Sequence, residues 1–142
     1  MSFSQGFPKE PASLITMLKD QDPVARERAA DALGRVTQET EHMFLALGEA
    51  LFDTDDEVCI AAAISLFRYG IRSKPALPHL MKALQHRNAN VKCIVIATLS
   101  FIGPDARNAI PVLIEELKSP DPRIRGWSTQ ALKSIGLDAE KS

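Results

Sequence analysis

The chain has one tryptophan, one tyrosine and two cysteines in 142 residues, and a formal net charge of only −1 with its histidines neutral. Cys59 and Cys93 are too few for a disulfide framework and lack the CxxC spacing of a metal or redox pair, so a reducing, cytoplasmic setting is the expectation. A pI near 6.3 supplies no global field toward nucleic acid or anionic lipid. No apolar run approaches bilayer length, and Met1–Phe7 has neither the basic start nor the apolar centre of a secretory leader. No glycine-rich loop precedes a helix in phosphate-binding style, and no serine or cysteine nucleophile has a recognisable base partner. His42, His79 and His86 share no ligand spacing. The expectation is a chain without a catalytic constellation, metal or cofactor. Apolar content of 45% against 25% charged is nevertheless that of a folded protein, long enough to bury about two-thirds of its unfolded surface.

What the chain does have is a period. The stretches Ala76–Gly103 and Ala109–Gly136 are near copies, and an anchor column of Ala25, Val58, Val91 and Ile124 advances by 33 residues at each step. A fixed period of this length marks a repeat array, whose units bury their cores against neighbours. Seven residues before the anchor stand Leu18, Leu51, Leu84 and Leu117, and four before those stand Leu14, Leu47, Leu80 and Leu113. That helical spacing predicts a short amphipathic first helix in each unit. After the anchor, the columns Ala29, Ala62, Val95, Ser128, then Leu33, Leu66, Leu99, Leu132, then Val36, Tyr69, Ile102, Ile135 predict a second.

Punctuation sets the boundaries. Asp22, Asp55, Asn88 and Asp121 precede each second helix and can accept orphan backbone N–H groups there, with Pro23 and Pro122 at the first helical position. Thr37, Gly70, Gly103 and Gly136 fall where the second helices should end, the glycines in a left-handed conformation. Pro75 and Pro104 then prevent continuation. The expected architecture is all-α: an arm of residues 1–10, then a single domain over 11–139 made of four antiparallel helix pairs, the units spanning about 11–40, 41–73, 74–106 and 107–139.

Asp-Pro-x-x-Arg at Asp22–Arg26 and Asp121–Arg125, the run Ala29–Gly34, and the closing Ile-Gly resemble HEAT repeats, more narrowly the short variety found in phycobilisome lyases. The resemblance implies a right-handed α-α superhelix, an armadillo-like solenoid with first helices on the convex face and second helices lining the concave one. It also implies a structural role for the motif residues. None of the histidines pairs with glutamate as in the diiron HEAT-repeat hydroxylases.

The column after the anchor, Arg26, Cys59, Lys92 and Arg125, reads as a ladder in which each base satisfies carboxylates and loop carbonyls of a neighbouring unit; a basic stripe for phosphates is the alternative. The acidic turn Asp53–Glu57 lacks the glycine and distal glutamate of a calcium loop. Cys59 and Cys93 are expected to behave as small hydrophobes.

Subtracting core, caps and turns leaves the concave positions. In the first unit these are charged (Glu27, Arg28, Asp31, Arg35); in the middle they are Ile60, Ala61, Ile64 and Arg68 with Phe67 flanking, then Cys93, Ile94, Ala97 and Phe101. The fourth unit contributes Gly126, Trp127, Gln130 and Ser134. The middle second helices are therefore apolar nearly all round, which predicts burial on every side. The candidate partner-binding residues are Ile60, Ile64, Phe67, Arg68, Cys93, Ile94, Ala97, Phe101 and Trp127, with Arg28 and Arg35 setting polarity. The expected cover is a partner segment, a second copy, or the arm with Phe3 and Phe7; curvature tucking these side chains between helices is the competing expectation. The functional expectation is a non-catalytic protein-interaction scaffold. Its alternatives are an accessory subunit of a phycobilin lyase-type chromophore attachment system, as the resemblance allows, and nucleic-acid binding through the basic concave residues. No membrane or small-molecule partner is expected.

Overall fold

The computed structural model describes residues 7–137. Among them are eight α-helices and no strand: α1 Pro11–Met17, α2 Pro23–Leu33, α3 Glu41–Ala50, α4 Asp56–Tyr69, α5 Leu77–Lys82, α6 Ala89–Ile102, α7 Ile110–Glu116 and α8 Pro122–Leu132. Tight 3₁₀ turns at Gly70–Ala76 and Gly103–Ala109 join the units, and a π turn, Lys133–Leu137, follows α8. Consecutive pairs stack, so that α2, α4, α6 and α8 form one layer and the shorter first helices the other.

The leucine columns form the core. Leu14, Leu47, Leu80 and Leu113 are buried, as are the anchors Ala25, Val58, Val91 and Ile124. Each large apolar side chain removed from water contributes about 1.5–3 kcal/mol before entropy is charged against it.

All four expected N-caps are present: Asp22 accepts from the Val24 N–H, Asp55 from Glu57 and Val58, Asn88 from Asn90 and Val91, and Asp121 from Arg123. A further column lies two residues earlier. Asp20, Asp53, His86 and Ser119 each accept a hydrogen bond from the backbone N–H of the capping residue, at 2.9–3.2 Å. Because Nδ1 of His86 accepts, Nε2 carries the proton and donates to the Leu51 carbonyl at 2.8 Å.

The ladder residues close the same turn. Arg26, Cys59 and Arg125 donate to the carbonyl six residues back, those of Asp20, Asp53 and Ser119. Arg26 also forms a two-pronged pair with Asp53 of the next unit at 2.9 and 3.1 Å, and Lys92 reaches Glu116 across the following interface at 3.1 Å. Neighbouring units are stitched further by Ser65 Oγ donating to the Ala30 carbonyl at 2.6 Å and Tyr69 Oη to that of Leu33.

Several expectations are corrected. α2 ends at Leu33 rather than near Thr37, because Gly34 lies against α4: a Cβ there would stand 2.4 Å from Ser65 Oγ. Gly70 and Gly103 have the expected positive φ, 57° and 80°, but Gly136 lies inside the π turn without one. Leu117, expected in the core, is 39% exposed because no later helix pair covers it among the described residues. Where earlier units bury Met17, Ala50 and Ala83, the fourth has Glu116; where they bury Ala30, Ala63 and Ile96, it has exposed Thr129. Taken through its turn, Ala89–Glu116 is long and apolar enough by composition to cross a membrane, contrary to the sequence reading. Burial of 61% of its most apolar window and the break at Gly103 mark it as core.

Ser128 fills a column otherwise held by Ala29, Ala62 and Val95, is fully buried, and its hydroxyl has no partner. Ser128→Ala should raise stability by about 1 kcal/mol in a denaturant titration, since an unsatisfied buried hydroxyl costs ~1–3 kcal/mol. Asp53→Ala removes a half-buried guanidinium's partner and a turn acceptor together; a loss of roughly 2–3 kcal/mol is expected in the same measurement.

Candidate partner-binding groove

Second helices of successive units pack side by side, so that α2, α4, α6 and α8 form a continuous layer, the one that the resemblance to HEAT repeats puts on the concave side. Three clefts cross this layer in order. Between α2 and α4 one is lined by Glu27, Arg28, Asp31, Glu57, Ile60, Ala61, Ile64 and Arg68. Between α4 and α6, reaching α8, a second of about 290 Å³ is lined by Ile64, Phe67, Cys93, Ile94, Ala97 and Trp127. Between α6 and α8 the largest, about 610 Å³, is lined by Ser100, Phe101, Arg123, Gly126, Trp127, Gln130 and Ser134. Ile64 belongs to the first two and Trp127 to the last two, so the clefts run into one groove.

Ten of the eleven sequence-selected residues line it: Ile60, Ile64, Phe67, Arg68, Cys93, Ile94, Ala97, Phe101, Trp127 and Arg28. Arg35 does not. It follows the end of α2, borders a separate cleft with Phe7, Pro8 and Val36, and touches the groove only through its pair with Asp31.

The apolar strip is narrower than the sequence implied. Cys93 and Ala97 are 8% and 3% exposed and form floor rather than face. The whole run Val95–Ser100 is buried, since α6 packs against α4, α8 and the adjoining turns. Ile60, Ile64, Phe67, Ile94 and Trp127 are half-buried, and Phe101 stands out at 52%. Phe67 and Phe101 rings lie 5.4 Å apart across the α4–α6 seam. Phe7 packs on the first unit at Leu14, Ala32 and Val36, so the described part of the arm leaves the middle of the groove open; Phe3 lies outside the described residues.

Arg123 and Ser100 were not selected from the sequence. Ser100 sits one position before the Phe101 column and bonds Ser134 Oγ at 3.2 Å, a signal visible only once the two helices are adjacent. Arg123 is held by Asp121 at 2.8 Å and by Asn90. At the opposite end, Asp31 is flanked by Arg68 at 3.1 Å and Arg35 at 3.4 Å. Partial burial pushes its carboxyl up, and the two guanidiniums outweigh that to leave it below the ordinary carboxylate value.

No cluster of three or more His, Cys, Asp or Glu able to hold a metal occurs among the described residues. His42 borders a cleft beside α1, His79 lies against Gly48, and His86 is the turn acceptor described above. Burial raises the thiols of Cys59 and Cys93 above their ordinary value.

Both thiols should react slowly with a disulfide reagent at neutral pH in the folded chain and rapidly in denaturant, because the thiolate is the nucleophile. Asp121 is depressed to about 2, first by the Arg123 side chain and then by the Arg123 backbone N–H. A depressed folded pKa gives stability that is present above the unfolded carboxylate value, about 3.9, and lost as pH falls through the folded one. Asp121→Asn, which keeps a capping oxygen but no charge, should therefore show a shallower loss of stability between about pH 4 and 2 in acid titrations followed by circular dichroism.

Known proteins agree with this geometry. Two engineered proteins superpose with TM-scores of 0.70 and 0.72 at 22% and 21% identity, over 88% and 90% of this chain. The chain spans 62% and 64% of their lengths, under two-thirds in each case. The complex of CpcE and CpcF of phycocyanin lyase from Nostoc sp. PCC7120 matches 99% of this chain and 70% of its own, with a TM-score of 0.62 and 19% identity. These likenesses concern the fold. No curated protein matches the sequence. The HEAT repeats family matches residues 44–133, more than half of the sequence. The chain belongs to the HEAT-repeat family.

Proposed function

We propose that this chain is a non-catalytic scaffold that docks a segment of a partner protein along the groove of α2, α4, α6 and α8. HEAT-repeat folds are typically protein-interaction scaffolds and generally non-enzymatic. The observation that carries the reading is the continuity of the three clefts through Ile64 and Trp127, charged at one end and apolar in the middle. Completing the burial of side chains such as Phe101 contributes a part of the roughly 1.5–3 kcal/mol that full burial would give, enough over several residues to decide an association after its costs. Two free buried cysteines support a reducing, cytoplasmic setting as part of the proposal.

Nucleic-acid binding is disfavoured by the use already made of the basic residues. Arg26, Arg68 and Lys92 are paired with Asp53, Asp31 and Glu116, and Arg125 holds a turn carbonyl. The lyase-accessory reading has the fold likeness behind it and no residue of the groove.

Phe101→Asp should keep the circular dichroism and melting point of the wild type while losing co-purified partners or, if the chain self-associates, its light-scattering mass. Val24→Asp, at an exposed apolar side chain outside the groove, should lose neither. Ile94→Asp should follow Phe101→Asp; if it unfolds instead, Ile94 belongs to the core. Retention of every partner by Phe101→Asp would contradict the reading.

A further inference from the structure

The junction between the first and second units has a charged clamp, and the two ends of the stack carry its two halves. Arg26 donates Nη1 to the Asp20 carbonyl at 2.8 Å and turns Nε and Nη2 onto both carboxylate oxygens of Asp53 in the next unit. Arg125 holds the same position in the fourth unit and likewise donates Nη1 to the Ser119 carbonyl, at 2.7 Å. Its Nε and Nη2 find no acceptor among the described residues. Asp20 is the first unit's counterpart of Asp53. Through Oδ1 it accepts the Asp22 N–H at 2.9 Å, as Asp53 accepts that of Asp55, and no ion pair engages its other oxygen among the described residues. The two later junctions have Cys59 with His86, and Lys92 with Ser119, in these columns.

The apolar columns end in the same way. Leu18, Leu51 and Leu84 are buried where a following unit covers them, whereas Leu117 is 39% and Ile114 50% exposed. Ile114 holds the column of Gly48, which lies against His79 of the next unit. The first-unit counterpart of His79 is the small, exposed Ser13.

We propose that the fourth unit docks the first unit of a second copy of this chain, continuing the stack by one period. Arg125 then clamps Asp20 of the second copy, while Ile114 and Leu117 lie against its α1 and the turn that follows. The complementary charges fix the register. Such a head-to-tail contact has no two-fold axis and can propagate. It lies at the ends of the stack, leaves the groove open and does not rest on the scaffold reading. The arm opposes it. Phe7 packs on Ala32 and Val36, whose columns in the second unit are Ser65 and Tyr69, the residues that meet α2. Phe7 thus occupies the place of an incoming α8, so association of the intact chain is weak and is read by a covalent trap.

Disulfide trapping supplies that test. An added Cβ on Gly48 would stand 2.8 Å from the His79 Cβ, so cysteines in place of Ile114 and Ser13 fall within reach of the roughly 3.5–4.5 Å Cβ separation of a disulfide. Cys59 and Cys93 are buried and form the silent background. Full-length Ser13→Cys and Ile114→Cys chains, mixed and oxidised with diamide, should give a mixed dimer well above that of Ser13→Cys with Ile71→Cys, an exposed site in the second unit. Neither end variant alone should dimerise to that extent, and a chain carrying both cysteines should give a ladder of dimers, trimers and longer species. Asp20→Asn on the Ser13→Cys chain keeps the turn acceptor and removes the charge; it should slow trapping several-fold with an unchanged circular dichroism spectrum. It should slow it no further when the other chain carries Arg125→Lys, which cannot hold the Ser119 carbonyl and a carboxylate together. Phe7→Ala should speed trapping. A mixed dimer no more abundant than the Ile71→Cys control, a preference for Ile114–Ile114 or Ser13–Ser13 pairs, or trapping indifferent to Asp20→Asn would overturn the proposal.

Discussion

Ala29, Ala62, Val95 and Ser128 lie fully buried where successive second helices meet, and the rest of the structure depends on that contact. A helical hairpin of this length cannot cover its own apolar stripe; it needs the next hairpin against it. Small side chains in this column, and Gly34 beneath Ser65, let α2 and α4 come close enough for side chains of the second unit to bond carbonyls of the first. The same stacking leaves the three clefts between successive second helices. Core packing and the candidate site are thus consequences of one spacing.

The turn between the helices of a unit is the second element of the design. The residue before each capping residue's neighbour (Asp20, Asp53, His86, Ser119) supplies one acceptor, and the residue after the anchor supplies one donor in three of four units. Lys92 turns instead to Glu116 and ties the third unit to the fourth. An arginine that satisfies turn carbonyls and a neighbour's carboxylate is no longer a phosphate ligand. That is why a column that looks basic in the sequence does structural work.

The period was enough to read the helix pairs, the N-caps and the leucine core, because those depend on apolar spacing and on single polar atoms close in sequence. The acceptor column was not legible: an aspartate, a histidine and a serine share only a lone pair, which residue identity hides. The early end of α2 depends on how near α4 lies, and the exposure of Leu117 on the absence of a covering pair, both properties of neighbours rather than of the segment. For the same reason the positions that line the clefts are legible from the period, but how much of each is exposed is not. α6 looked unpartnered because it is apolar all round, yet α4, α8 and the turns cover most of it.

The account stands on the groove being open in the isolated chain and separate from the core. Hydroxyl-radical footprinting with mass spectrometry measures this residue by residue. Phe101 and Trp127 should be oxidised rapidly in the native monomer, while Phe44 and Tyr69, packed edge to face with ring centroids 5.2 Å apart, stay protected until the chain unfolds. Protection of Phe101 and Trp127 equal to that of Phe44 in the native monomer would place them in the core and contradict the account.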